Sequence, residues 1–243
     1  MLINEHTAIL TRRILLVPYS KHHVPAYHEW MQDEELQKAT ASEPLTLDEE
    51  YAMQRSWRQD ADKLTFIACT ASEDLYKSQR TVVADGANDA PEKMIGDVNL
   101  FIHEADDEQS DEESEYTQRQ KHIVGEVELM IASKNLRGQG YGLEVLRAFL
   151  WYFAVHIREI LLEYCQGQRL PEADVRWKYL RVKVDKDNIR SIRLFERAGF
   201  QKVSEEPNYF DEVELRTQPG QATIRVDGPI DLPLLLHYAS LPN

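Results

Sequence analysis

The sequence predicts an α/β (α+β layered) fold, a mixed central sheet of about seven strands flanked by about four helices. Three observations carry that expectation. Short segments of period-two apolar alternation recur along the chain. One of them, with Val127, Leu129 and Ile131 on a single face, runs through a glycine-rich turn into apolar residues at helical spacing, Leu143, Leu146, Leu150, Phe153 and Ile157. Strand and helix signals follow one another as β-α-α-β-β-β-α-β-α-β-β, an order that lays helices on a sheet.

Taken in order, residues 13–19 are the first strand. Residues 22–33 place Val24, Tyr27, Trp30 and Met31 on a helical stripe. Thr46 followed by Glu49 is a capping box that starts a helix running to about Ala61, with Leu45 as its staple. Residues 64–71 are the second strand, 72–92 a polar hairpin loop or insertion, and 93–103 the third strand. The run 104–120 is dense in charge, nearly free of apolar residues, and reads as a disordered acidic loop. The glutamate-bearing strand around Val127 comes fourth. One long helix is expected from Gly140 to about Gln166, a fifth strand over 177–184, and a short helix from Asn188 to Ala198 closed by Gly199. A last pair of strands lies at 200–204 and 209–216. Residues 1–217 therefore read as one domain with two insertions, and 218–243 as a tail whose apolar run, Leu232 to Leu236, has no evident partner.

Composition narrows the function. Apolar residues make up 42% of 243, enough for a full core. Net charge is −14, of which the stretch Glu104 to Glu115 supplies −8 and the rest of the chain −6. No basic stripe exists, so nucleic acid is not an expected partner, whereas a cationic acceptor such as an amine or basic peptide is compatible. No apolar run approaches the roughly 18 residues of a membrane span, and no signal-peptide core is present. Cys69 and Cys165 suggest neither a disulfide frame nor a metal site, and the eight histidines form no metal set, with His22 and His23 expected at the surface. The expected setting is the cytoplasm, with the nucleus open; oligomeric state is not indicated.

The turn Arg137-Gly-Gln-Gly-Tyr-Gly142 joins a strand to a helix N-terminus. Loop N–H groups and the positive end of the helix converge there, and glycines let an anion approach the backbone. It lacks the Gly-Lys-Ser/Thr of a P-loop. It does not open a first βα unit with an acid about 20 residues on, as a dinucleotide fingerprint requires. On spacing alone, a phosphate cradle and a plain strand-to-helix turn are equally good readings. Upstream, Glu126 and Glu128 share one face of a central strand, where a carboxylate is costly unless it is solvated or used.

Arg137-Gly-Gln-Gly-Tyr-Gly142 resembles the [Gln/Arg]-x-x-Gly-x-[Gly/Ala] motif of the GNAT acetyltransferases. A second signature of that superfamily stands a helix and a strand later, where Asn188-Ile-Arg-Ser-Ile-Arg-Leu-Phe-Glu-Arg-Ala-Gly-Phe200 is similar to Asn-x-x-[Ala/Ser]-x-x-[Leu/Met]-[Tyr/Phe]-x-x-x-Gly-Phe. The runs His23 to Met31 and Thr40 to Asp48 resemble the N-acetyltransferase 9-like proteins of the RimJ/RimL-type branch. The similarity covers residues 1 to about 217.

The resemblance implies a GNAT fold and acetyl-CoA as co-substrate, with no metal. It implies that the pyrophosphate sits on main-chain N–H groups of Arg137, Gly138, Gln139, Gly140, Tyr141, Gly142 and Leu143. The pantetheine arm would lie like an extra strand against Leu129, Met130 and Ile131, one of whose N–H groups would polarise the thioester carbonyl. Asn188 would bond the arm, or cap its own helix, or both; Ser191 and Phe195 would line the same site. Lys134, Arg137, Arg190 and Arg193 are candidates for the 3′-phosphate, or members of a solvated face. A base must take a proton from the amine. Glu126 is preferred to Glu128 because relatives place a base at its distance from the loop, and a solvated groove with water relays is the other reading. Phe195 stands where many relatives have the tyrosine that protonates the leaving thiolate, which leaves that acid unassigned. Tyr27, Trp30 and Tyr51, with Trp57, lie on the helices that shape the acceptor pocket in this branch, or in the core. The expected activity is acetyl transfer from acetyl-CoA to an amine of a protein or peptide, N-terminal or lysine, by direct attack in a ternary complex. The alternative is a catalytically weak or inactive acetyl-CoA-binding module.

Overall fold

Alternating apolar residues make the strands, and pairing of those strands builds one sheet. The computed structural model describes residues 1–40, 42–78, 80–105, 120–219 and 232–239. In chain order the elements are β1 (Thr7–Leu10), β2 (Ile14–Pro18), α1 (Val24–Trp30), α2 (Glu34–Ala39), α3 (Leu47–Gln59), β3 (Lys63–Thr70), α4 (Glu73–Lys77), β4 (Val82–Ala84), β5 (Met94–Glu104), β6 (Lys121–Ile131), α5 (Tyr141–Val155), α6 (Ile157–Gln168), β7 (Val175–Asp185), α7 (Ile189–Arg197), β8 (Gln201–Lys202), β9 (Glu212–Thr217) and β10 (Leu234–Ala239). The strands stand in the order β4-β10-β1-β2-β3-β5-β6-β7-β9-β8. Two neighbouring pairs, β6 with β7 and β10 with β4, are parallel and the others antiparallel, so the sheet is mixed as expected.

Each face of the sheet covers its own core. Val98, Leu100 and Val127 point toward α5 and pack with Phe66, Leu146, Phe149 and Phe153. Val17, Ile67 and Met130 point the other way, against Tyr19, Tyr27, Met31 and Leu36 beneath α1 and α2. The alternation of β5 therefore sends its polar members, Asp97 and Asn99, under the N-terminal helices.

The sequence reading differs from the structure at five places. Among the described residues the sheet has ten strands rather than about seven, and there are seven α-helices rather than about four. The extra strands are short: β1 pairs with β2 before the first expected strand. The tail finds its partner in the sheet, since β10 is wedged between β1 and β4 in the register Ala8↔Leu236 and Tyr238↔Val83. Strand propensity in six residues without an intervening turn signal could not show that docking. The expected long helix breaks at His156, whose φ of −110° and ψ of 19° lie outside the helical well, so α5 and α6 are separate. The polar segment 72–92 is ordered around α4, β4 and a one-turn 3₁₀ helix at Pro91–Lys93. Of the acidic run, Glu104 closes β5 and pairs with Lys121 at 2.5 Å across the hairpin, while 106–119 lies outside the described residues. The capping box at Thr46 forms as read, with Glu49 N–H donating to Thr46 Oγ1 and Thr46 N–H donating to the Glu49 carboxylate.

Candidate active site

β6 is the axis of the site. It pairs with β5 along its whole length to Ile131, but with β7 only from Lys121↔Val175 to Glu126↔Arg181. Beyond Glu126 the two parallel strands part, leaving Val127 to Ile131 with a free edge. Main-chain direction alternates along a strand. The Met130 N–H is spent on the Asp97 carboxyl of β5, and the Ala132 N–H on the Ile95 carbonyl. Leu129 and Ile131 therefore turn their N–H and C=O groups into the gap. Met130, read from sequence as a third main-chain partner, faces β5 instead. The Ile131 carbonyl is also taken, by Arg137 Nε at 2.8 Å. Leu129 keeps both its groups for a guest strand.

The glycine turn follows. Gly138 and Gly140 have φ of 77° and 86°, a region that L side chains rarely adopt. A Cβ on Gly138 would meet nothing within 4 Å, so an approaching group finds open space there. α5 starts at Gly140 with no side-chain cap, which leaves the first-turn N–H groups of Tyr141, Gly142 and Leu143 for a ligand. Gly142 lies close under α7: a Cβ would come 2.8 Å from Leu194 Cδ1, the end of a side chain that would have to shift. Arg13, not singled out from sequence, holds the turn. Its Nη1 donates to the Gln139 carbonyl at 3.1 Å, its Nε to Glu144 at 2.7 Å, and its guanidinium lies 4.7 Å over the Tyr141 ring. A contact across more than a hundred residues leaves no local signal.

Cations near the turn divide into spent and free. Arg137 bonds the Ile131 carbonyl and pairs with Glu35 at 2.9 Å, and Lys134 pairs with Asp33 at 2.7 Å and Glu35 at 3.2 Å. Both brace the start of α2, Arg137 largely covered and Lys134 from the exposed surface. Arg190 and Arg193 are exposed and have no ion pair among the described residues. Asn188 is the N-cap of α7, its Oδ1 accepting from Ser191 N–H at 3.1 Å. Its amide NH₂ has no partner among the described residues, so capping and ligand binding are compatible. Phe195 is buried and packs edge-on against Phe200 with ring centroids 5.2 Å apart, so it belongs to the core and offers a cofactor almost no surface.

A free strand edge beside an uncapped helix N-terminus fits an extended arm ending in a diphosphate. The sequence model of the acetyltransferase (GNAT) domain matches residues 13–201. The chain belongs to the GNAT acetyltransferases. It is 43% identical over 225 residues to an N-acetyltransferase 9-like protein of Schizosaccharomyces pombe, covering 88% of this chain and 97% of that one. It is 40% identical over 200 residues to the alpha/beta-tubulin-N-acetyltransferase 9 of Drosophila melanogaster, covering 82% and 81%. The fold resembles the crystal structure of a GNAT-family acetyltransferase from Bacillus anthracis, with a TM-score of 0.53 at 13% identity over 87% of this chain and 98% of that one. This GNAT protein is an acetyl-CoA-dependent N-acetyltransferase.

On the acceptor side the two glutamates differ. Glu126 accepts from Arg181 Nε at 2.7 Å, with Lys183 Nζ at 3.9 Å, so its charge is already matched by cations of β7. Glu128 has no ion pair among the described residues. Its side chain is solvent-exposed at the strand surface, yet the protein around it displaces enough water to disfavour the charge. Burial, then the negative fields of Asp97 and Glu126, push its carboxyl up to about 7. Tyr27 is buried and its hydroxyl donates to Asp97 Oδ2 at 3.0 Å. Trp30 packs 5.9 Å from Tyr27, centroid to centroid, and Tyr51 and Trp57 are half-buried beside this core. The aromatic stripe is thus largely core, and Tyr27 alone among the three expected acceptor residues connects by a hydrogen bond to the polar groups around Glu128.

A second polar centre lies away from β6. His23, expected at the surface, is fully buried, and its Nε2 contacts Asp89 Oδ2 at 3.1 Å. His22 Nε2 reaches the same oxygen at 3.2 Å and its Nδ1 faces Asp85 at 2.8 Å. Tyr238 O–H donates to Asp89 at 2.6 Å and Gly86 N–H at 2.7 Å. These ligand atoms are close enough together for a metal. However, His23 Nδ1 accepts from Ser20 N–H at 3.0 Å, which puts the imidazole proton on Nε2 and removes the lone pair a metal would need. The group is a hydrogen-bonded clamp tying segment 72–92 to α1 and β10.

Proposed function

We propose that this enzyme acetylates a primary amine of a protein, at its N-terminus or at a lysine, by direct attack in a ternary complex with Glu128 as the base. The observation that carries the assignment is the position of Glu128, adjacent to the free main-chain groups of Leu129, with a carboxyl that titrates near neutrality. A base is most effective when its proton affinity matches the working pH. Glu126, tied to Arg181, sets the local charge and orients β7. The names of relatives as alpha/beta-tubulin-N-acetyltransferases support tubulin as the acceptor to try first.

Acetyl-CoA supplies the acetyl group as a thioester. Leu129 and Ile131 pair with its extended arm and Leu129 N–H donates to the thioester carbonyl, drawing electron density from the carbon to be attacked. The turn from Gly138 to Leu143 binds the diphosphate, Asn188 offers its amide NH₂ to the arm, and Arg190 and Arg193 supply positive charge for the remaining phosphate. Phe195 has no proton to give, and a thiolate is a good enough leaving group to depart unaided. The test is acetylation of purified α/β-tubulin with mass-spectrometric mapping of the modified amine, alongside calorimetric binding of coenzyme A. Binding without transfer to tubulin or to any amine in peptide libraries would leave the non-catalytic reading.

A further inference from the structure

Resting on the proposed reading of Glu128 as base, one set of side chains beside it stays without a partner. Thr65, Asn99 and Glu128 stand directly opposite one another on β3, β5 and β6, on the face under α1 and α3. At a strand spacing of about 4.8 Å they form a row some 10 Å long, buried at Thr65 and Asn99 and open to solvent at Glu128. Asn99 and Thr65 are only 4% and 6% exposed, yet Asn99 Oδ1 and Thr65 Oγ1 have no hydrogen-bond partner among the described residues. Nearby, Glu50 Oε2 and the Tyr19 hydroxyl are buried and unpartnered as well. Buried polar groups of native proteins nearly always find partners, so this concentration is unusual.

Asn99 Oδ1 and Glu50 Oε2 lack donors, the Thr65 and Tyr19 hydroxyls can take either role, and the missing charge is positive. Asn99 Oδ1 only accepts, because the Asn99 amide nitrogen is fixed by donation to Asp97 Oδ2 at 2.9 Å. Glu50 and Asp97 are 1% and 2% exposed. Glu50 Oε1 lies 3.9 Å from His28 Nδ1, and Asp97 has no ion pair among the described residues. Burial raises the proton affinity of both carboxyls. Two buried carboxyl groups and the exposed Glu128 therefore have no lysine or arginine in an ion pair with them among the described residues, whereas buried charges are ordinarily paired. A cation with several N–H donors would satisfy both deficits together.

We propose that Asn99, Asp97, Glu50 and Thr65 form a seat that receives the acceptor's primary amine as an ammonium cation, selecting a positively charged amine over neutral or anionic nucleophiles. The seated ammonium gives one proton from nitrogen to a carboxylate oxygen of Glu128. The freed lone pair then forms the C–N bond to the thioester carbonyl carbon. The C–S bond breaks, and the sulfur leaves with its electron pair as thiolate.

The test is an NMR titration of the full chain saturated with coenzyme A, following the Asn99 side-chain amide, with n-butylammonium chloride and n-butanol as probes. The expected result is a saturable shift with butylammonium and none with butanol, and weakening of about tenfold in Glu50→Gln, the effect of losing one hydrogen bond to a charged group. Kinetics add a second readout. With tubulin as acceptor, Asn99→Leu should raise KM by about tenfold or more and change kcat less, with affinity for coenzyme A unchanged as the control for folding. No saturable shift, or equal shifts from both probes, overturns the seat. Acetyl transfer that survives undiminished in Glu128→Gln, with butylammonium still bound, overturns the base assignment and leaves the seat standing.

Discussion

Asp89 and Asp97 are both almost completely buried and both touch the segment leading through α1, yet their surroundings have opposite effects. Burial disfavours the charge of each. Around Asp89, hydrogen bonds from His22, His23 and Tyr238 outweigh that penalty and hold the carboxyl well below the usual carboxylate range. Around Asp97, donation from Asn99 and Tyr27 does not compensate, and the carboxyl is pushed up to about 6. Burial alone therefore distinguishes nothing: the supply of donors and cations decides. Where the supply is complete the cluster is a fastener. Where it falls short, next to a free strand edge, the cluster is the one to which we assign the acceptor chemistry.

Removing Asp89 should break the fastener with the largest effect. Asp89→Ala leaves two histidines and a tyrosine hydroxyl without their acceptor and should cost about 3–5 kcal/mol of stability in urea unfolding, with coenzyme A affinity of the folded protein retained. Because the folded pKa is depressed, this stabilisation is full above the ordinary aspartate range, near pH 4, and is lost as pH falls below it, so the difference between wild type and variant should narrow in acid.

Glu128→Gln tests the other side of the comparison. It should lower kcat by about 10²-fold or more, with coenzyme A binding intact. Wild-type activity should rise as Glu128 ionises through pH about 7, and that limb should vanish in the variant. Glu126→Gln removes only the partner of Arg181, away from the reacting atoms, and should cost less than about tenfold. A larger loss for Glu126→Gln than for Glu128→Gln would reverse the assignment. The smallest effect belongs to Asp97→Asn. Removing a negative neighbour lowers the proton affinity of Glu128, so the acidic limb of the pH profile should shift to lower pH. An upward shift would mean that Asp97 does not act on Glu128.

Elements whose signals are local were readable from the chain. The capping box at Thr46, the alternation of β3, β5 and β7, the two GNAT signatures, and Gly199 as the residue that ends α7 with a φ of 97° all depend on neighbours within a few positions. The elements of the candidate site were readable to the same extent: the turn from Arg137 to Gly142 follows β6, which carries the edge at Leu129 and both glutamates. Partner choice was not readable. Nothing near Arg137 shows that Glu35 takes its guanidinium, nothing near Glu126 that Arg181 neutralises it, and nothing near His23 that Asp89 draws it into the interior.

By itself the sequence determined that this chain is a GNAT enzyme and which strand, turn and helices to take as candidates for its site, because periodicity, glycine conformation and capping are properties of short segments. Only the tertiary structure decided which acid is spent and which is free. An ion pair or a buried donor depends on which strands become neighbours, and pairing β6 with β5 on one side and β7 on the other gave Arg181 to Glu126 and left Glu128 beside Asn99 and Asp97.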